Sequence, residues 1–272
     1  MILLLVDIGN SRVKWARMVD GRMGKLYAAA NGDWDSQHYA RRVIGRGWGS
    51  AEGRIVVSSV AGDTVNHRLS AGARSSGAPE PEFVASQRTA AGVTTDYIDP
   101  WRLGVDRFVA AIGAHHLASG QPVCVVNAGT AMTLDLVDGA GRHRGGVIVP
   151  GPALMVHSLL ERTNGIRRRA AGGPRGAPGI FARTTRDAIG QGALYTAAAV
   201  IDRAIEEARA LLGSRPLVLL TGGGSDAIKP LIRNTCVSLP ELVLHGLAVW
   251  AKYTPRPASQ LPQTSRKRRR VD

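Results

Sequence analysis

The chain opens on an apolar run, MILLLV, that gives way to Asp7 and the polar turn Gly9-Asn10-Ser11, after which residues 13–18 alternate until Asp20-Gly21. An apolar run, a turn and an alternating run predict a β-hairpin. A third strand is expected beyond Gly24-Lys25. Residues 34–45 carry a helical pattern, and residues 54–60 (RIVVSSV) form a short β-rich run between Gly53 and Gly62. Residues 71–81 repeat Gly, Ser and Pro, the composition of a loop. Residues 103–117 place Phe108, Ala111, Ile112 and His115 at helical spacing, which predicts a helix opened by Gly-Val-Asp-Arg.

The opening grammar then returns. Residues 122–126 are an apolar strand, NAGTAMT is a turn containing glycine, and residues 133–137 resume the strand before Asp138-Gly139. VDIGNSRVKW and VNAGTAMTLD share a strand, an acidic or amide residue, a glycine two positions on, a small hydroxyl and a second strand, at a spacing of about 120 residues. A repeat that long points to two related α/β domains rather than a solenoid. The domains are expected over residues 1–118 and 119–253, with a disordered basic tail over 254–272. Within the second half, a strand is expected over 145–149, a helix opened by Pro152, a basic Gly/Pro-rich loop over 167–179, a long helix over 188–212, a strand over 217–220 leading into TGGG, and a final helix over 242–250.

Composition narrows the class. Apolar residues make up 44% and charged residues 21% of 272, as in ordinary globular proteins. The first apolar run has no basic segment before it and is cut by Asp7, too short for a signal peptide or a membrane span, so a cytoplasmic, non-membrane protein is expected. Cys124 and Cys236 stand far apart and form no metal or redox pair. The formal charge of +14 would suit nucleic acid, but much of it lies in the tail SRKRRRVD and in GIRRRAAGGPRG, without a nucleic-acid-binding motif. No specific nucleic-acid partner is expected; a nucleic-acid-associated protein using the basic tail and the loop at Arg167, Arg168 and Arg169 is the alternative from that class.

A nucleotide site on this chain must cradle phosphate without a P-loop or a dinucleotide fingerprint, since neither GxxxxGK[ST] nor GxGxxG follows a strand. The turn at Asp7-Ile8-Gly9-Asn10-Ser11 offers backbone amides and a hydroxyl to phosphate, with Asp7 able to hold Mg²⁺ through water and Lys14 on the return strand. Alone, such a turn is also ordinary hairpin chemistry. A second copy at Asn127-Ala128-Gly129-Thr130 and a third Gly-rich loop at 221–224 make a clamp on a triphosphate.

These motifs resemble the actin/sugar-kinase/Hsp70 superfamily, and the resemblance implies two ribonuclease H-like α/β domains with a nucleotide cleft between them. Tyr97 with LGVDR at 103–107, NAGTAMTLD, GGVIVPGP at 145–152, TTRDAIGQG at 184–192 and LHGL at 244–247 are similar to type III pantothenate kinases over nearly the whole chain. That family phosphorylates pantothenate with ATP and Mg²⁺, an alcohol-accepting phosphotransferase reaction that opens coenzyme A biosynthesis. The resemblance implies that Asp7, Ile8, Gly9, Asn10, Ser11, Arg12, Val13, Lys14 and Thr130 bind ATP, and that Tyr97, Gly104, Val105, Asp106, Arg107 and Thr185 line the pantothenate site. Asp106 would accept the hydroxyl proton, the chief chemical help that phosphoryl transfer to an alcohol needs beyond alignment and charge neutralisation. It also implies a homodimer, with substrate near the subunit interface. An aspartate at position 127 would hold K⁺ or NH₄⁺; Asn127 stands there and lacks the charge, so a weak cation response is expected and no residue is assigned as a metal ligand. A Bvg accessory factor-like regulatory or binding protein of the same fold, catalytically weakened, is the alternative; intact Asp7 and Asp106 argue against it.

Overall fold

The opening apolar run becomes β1 (Ile2–Ile8), which turns at Gly9 into β2 (Arg12–Val19). β3 (Arg22–Met23) and β4 (Tyr27–Ala30), the third strand expected from sequence, both pair with β2. α1 (Ser36–His38) passes through a π-helical stretch, Tyr39–Ile44, into α2 (Gly45–Gly47). There follow β5 (Arg54–Ser59), α3 (Asp63–Ser75), β6 (Glu82–Phe83), β7 (Thr89–Ala90), β8 (Val93–Thr95) and α4 (Val105–Ala118). This structure, a computed structural model, describes residues 2–48, 53–172 and 179–254.

The second half begins with β9 (Val123–Ala128), β10 (Ala131–Val137) and β11 (Arg142–Pro150). α5 (Pro152–Arg162), α6 (Asn164–Ala170) and the long α7 (Thr185–Leu212) lead to β12 (Leu217–Thr221), α8 (Ser225–Ile228), β13 (Val237–Ser238) and α9 (Leu242–Tyr253). The loop expected over 71–81 is corrected at its start, because residues 71–75 complete α3. The loop expected over 167–179 is corrected likewise: Arg167, Arg168 and Arg169 lie in α6, while residues 173–178 fall outside the described residues, as does the tail from 255.

The two sheets repeat one plan. In the first, β1 pairs antiparallel with β2 and parallel with β5, which pairs parallel with β6. In the second, β9 pairs antiparallel with β10 and parallel with β12, which pairs parallel with β13. β11, β8 and β7 extend the second sheet beyond β10, so strands from before residue 118 join it.

Strand alternation sends successive side chains to opposite faces and builds the layers. Leu4, Val6 and Ile8 pack outward with Trp34, Tyr39, Val43 and Leu69. Leu3 and Leu5 point the other way, into a middle layer where Phe108 and Ile112 of α4 and Leu244 and Leu247 of α9 meet Val123 and Val125. Cys124, Val126 and Ala128 face Ala197, Ile201 and Ile205 of α7. The result is an α/β/α/β/α stack with α4 and α9 between the sheets. By the same alternation Asp7 and Asn127 face the middle layer, at equivalent ends of equivalent strands. Cys124 is buried and Cys236 half-buried, both as free thiols. No described helix is long and apolar enough to cross a membrane.

Candidate active site

The two glycine turns meet. Ser11 Oγ lies 3.2 Å from Thr130 Oγ1, although 119 residues separate them. Each turn is closed by its own glycine, whose N–H donates to a carbonyl just beyond: Gly9 to Arg12 at 2.9 Å and Gly129 to Ala131 at 3.1 Å. Asn31 braces the first turn from beneath, its backbone N–H donating to the Ser11 carbonyl at 3.3 Å and its side chain to the Gly9 carbonyl at 3.3 Å. The TGGG loop seats the second: the Gly224 N–H donates to the Ala128 carbonyl at 2.9 Å. Gly222 has φ +94°, and a Cβ there would stand 2.5 Å from the Ala128 oxygen, so only glycine fits.

Asp7 pairs across the hairpin with Lys14. Its carboxyl is pushed up from 3.8 to about 7, first by burial and then by the charge of Asp106, with Lys14 and Ser58 pulling the other way. Lys14 is held below its usual range by burial, opposed by Asp7, and donates to the Pro240 carbonyl at 3.1 Å. Asp106, in the first turn of α4, is also raised by burial, against the lowering effect of the Arg107 amide and charge. Two desolvated carboxylates thus face one cleft, where a cation would relieve both. Gly104 makes room for one of them, since a Cβ there would meet Asp106 Oδ1 at 2.8 Å.

Arg107 does not reach outward as a free guanidinium. It is 5% exposed, and its Nε and Nη2 donate to the two oxygens of Asp135 at 2.9 and 2.7 Å. Its Nη1 donates to the Tyr97 hydroxyl at 2.9 Å. Burial alone would weaken its charge, but the Asp135 carboxylate more than offsets this and raises its pKa. Arg88 pins the loop that carries Tyr97 by donating to the carbonyls of Thr95, Tyr97 and Ile98.

Asn10, Ser11, Arg12 and Thr130 are exposed on the turns, while Ile8 and Val13 are fully buried, so those two can offer a nucleotide only their backbone. Tyr97, Gly104, Val105 and Asp106 gather half-buried at the N-terminal end of α4. Thr185 opens α7 behind the cap that Thr184 forms with the Asp187 amide, and no hydrogen bond joins it to that group among the described residues. Asn127 is half-buried; its backbone lies in the β9 ladder between β10 and β12, and among the described residues its side chain has no hydrogen-bond partner. Asp135, the last residue of NAGTAMTLD, and its partner His143 receive no role from the motif reading; the signal for Asp135 is a lone carboxylate between Leu134 and Leu136 in a buried strand, which demands a partner.

A protein-family model described as type III pantothenate kinase matches residues 3–207. A type III pantothenate kinase of Nitrosococcus oceani is 35% identical over 260 residues, covering 93% of this chain and 95% of the relative. One of Halorhodospira halophila is 36% identical over 260 residues, covering 93% and 99%. Among solved structures, a Campylobacter jejuni protein described as a Baf family transcriptional activator superposes with a TM-score of 0.56 at 18% identity, covering 92% of this chain and 97% of that one, a likeness of fold. Similarity that runs through both halves, and therefore through both turns and the α4 segment between them, leads to one conclusion: the chain belongs to the type III pantothenate kinase family.

Proposed function

We propose that the chain transfers the γ-phosphoryl group of ATP to the 4′-hydroxyl of pantothenate, giving 4′-phosphopantothenate and ADP, the first step of coenzyme A biosynthesis. The observation that carries this reading is the meeting of Ser11 and Thr130 across the cleft. Two amide-rich turns that converge on one point can hold the two ends of a triphosphate, and Asp106 then lies at the mouth where an alcohol would approach. Residues 7–14 and Thr130 serve the nucleotide; Tyr97, Gly104, Val105, Asp106 and Arg107 serve pantothenate. Asp106 takes the proton as the hydroxyl oxygen attacks, and a carboxyl raised by burial is a better base than an ordinary one. Arg107 acts mainly by fixing Tyr97, its own charge being spent on Asp135.

The donor set fits a divalent cation, which neutralises phosphate charge when bound. Asp7 would hold it, directly or through water, and its charge would offset the desolvation that raises that carboxyl, leaving Asp106 as the base. Among the described residues no cluster of three or more His, Cys, Asp or Glu side chains is placed to hold a metal ion unaided, which accords with an ion that shares its ligands with phosphate. For K⁺ or NH₄⁺ the fit is poorer. Asn127 offers one amide oxygen and no charge, so we expect a weak response to either ion.

The two matched sheets support a division at about residue 118, with β7 and β8 lent across it. A homodimer is supported by apolar surface that this chain leaves bare: α5 buries no residue, Val147 and Ile148 of β11 are 43% and 60% exposed, and a groove of about 740 Å³ lies between β11 and α7. In such a dimer, Thr185 could serve the substrate site of the partner subunit. Nucleotide consumption measured with and without pantothenate, in sodium, potassium and ammonium salts, tests the reading; no pantothenate-dependent consumption in any of the three would defeat it.

A further inference from the structure

Behind the pantothenate side of the cleft lies a closed ring of hydrogen bonds. From Tyr97 it passes to Arg107 Nη1 at 2.9 Å, from Arg107 to Asp135, from Asp135 Oδ1 to His143 Nε2 at 2.7 Å, from His143 Nδ1 to Thr95 Oγ1 at 3.1 Å, and from Thr95 Oγ1 back to the Tyr97 N–H at 3.2 Å. His143 is fully buried, and Thr95, Asp135 and Arg107 are 1%, 2% and 5% exposed. The ring stands on β8, β10, β11 and α4, four elements brought together only by the fold.

Donor and acceptor chemistry gives this ring one direction. Arginine has donors only, so Asp135 accepts from it twice and the Tyr97 oxygen accepts once. Asp135 as a carboxylate can only accept, so His143 Nε2 carries a hydrogen and donates it. At Nδ1 there are two choices. Were Nδ1 also protonated, Thr95 Oγ1 would receive both that hydrogen and the Tyr97 N–H, its own hydrogen would have no acceptor in a buried site, and a second cation would crowd Arg107. With Nδ1 bare, the Thr95 hydroxyl donates to it and accepts the Tyr97 amide, and every bond of the ring has one donor and one acceptor. Outside the ring are left one hydrogen on each of Arg107 Nη1 and Nη2 and, on Tyr97, the hydroxyl hydrogen. The Tyr97 oxygen is already accepting from Arg107, so its hydrogen points away from the ring, and Tyr97 is half-buried rather than enclosed.

We infer that Thr95, His143 and Asp135 are positioning residues that, through Arg107, fix Tyr97 as a hydrogen-bond donor toward an acceptor oxygen of the substrate. The inference rests on the proposed pantothenate site. It explains why an arginine in the substrate segment is buried against a carboxylate: it is there to aim a neutral donor.

Kinetics on the full-length protein test it. Tyr97→Phe removes the donor and should raise KM for pantothenate about tenfold, the worth of one hydrogen bond. Thr95→Val keeps shape but opens the ring; it should raise the same KM by a similar factor while kcat and the nucleotide KM change less than about threefold. Because both changes act on one hydroxyl, the double variant should show about tenfold again, not ~100-fold. Thr95→Ser should restore the wild-type value. Independently of any variant, ¹⁵N shifts of His143 in the wild-type protein should report the neutral Nε2–H form. Multiplying effects in the double variant, an unchanged KM in a folded Thr95→Val protein, or an Nδ1–H or doubly protonated His143 would each overturn the inference alone. A wild-type protein that neither binds nor phosphorylates pantothenate would overturn the functional reading and this inference with it.

Discussion

Replacing Asp7 by asparagine should stabilise the ligand-free protein above neutral pH while destroying its use of nucleotide. The cause is the price of the carboxylate's position: burial first, then the neighbouring charge of Asp106, lift its carboxyl from 3.8 to about 7. Between those values the folded chain keeps a proton that the unfolded chain has released, so the contribution of Asp7 to stability declines as pH rises from about 4 to about 7. At ~1.4 kcal/mol per pH unit the full interval sets a ceiling of ~4 kcal/mol, and solvent access to the half-buried side chain lowers this to about 2 kcal/mol. Asp7→Asn carries no such proton. The variant should match wild type near pH 4 and exceed it by about 2 kcal/mol above pH 7 in urea unfolding without nucleotide or divalent ion. Asp106 titrates in the same sense in both proteins, and the two carboxylates behave as a pair, so the difference curve reports Asp7 in the presence of its neighbour. Adding Mg²⁺ with a non-hydrolysable nucleotide should reverse the order, because only wild type keeps the carboxylate that the ion would use. Parallel pH curves for the two proteins would refute the reasoning that Asp7 is held at a cost for cation binding.

Asn127→Asp should increase both nucleotide affinity and dependence on K⁺ or NH₄⁺: a unit charge pair about 4 Å apart is worth on the order of 4 kcal/mol at an effective dielectric near 20, before desolvation is subtracted. A strong potassium response in the natural chain that the substitution leaves unchanged would show that the ion is held elsewhere. Gly222→Ala should destabilise the second turn by about 1–3 kcal/mol and weaken nucleotide binding, as read by thermal melting with and without nucleotide, because its Cβ would press on the Ala128 carbonyl. Arg107→Met should lower stability by about 3–5 kcal/mol by leaving Asp135 buried without its cation, and adding Asp135→Leu should recover part of that loss in the same unfolding assay.

Much of the plan was legible because local chemistry and tertiary structure agree. The pattern around Gly9 and its echo around Gly129 predict two hairpins, and the sheets built on them share one connectivity. Asp106 at the start of a helix was legible for the same reason, since Gly-Val-Asp-Arg opens α4. The failures come where composition and tertiary packing disagree. Residues 71–75 have the small, polar make-up of a loop, yet Leu69, Ser70, Gly72 and Ala73 are buried in α3 against the first sheet's helical cover. Arg167, Arg168 and Arg169 read as a basic loop but complete a helix in which Ala170 is buried. The ring behind Tyr97 was not legible, because Thr95, Arg107, Asp135 and His143 become neighbours only when β8 pairs with β11 and α4 packs across β10. The sequence resemblance puts Arg107 in the lining of the pantothenate site, whereas the fold gives it a carboxylate of its own.

Phosphorylation of pantothenate in the cleft between the two turns, with Asp106 as the base, is tested by following product. Wild-type protein given ATP, Mg²⁺ and pantothenate should accumulate 4′-phosphopantothenate in step with ADP, seen by ³¹P NMR. Asp106→Asn should be slower by a factor of about 10² to 10⁴ while melting no lower than wild type, since burial already disfavours the charged carboxylate. ADP without phosphorylated pantothenate, or a folded Asp106→Asn protein that keeps most of the wild-type kcat, would contradict it.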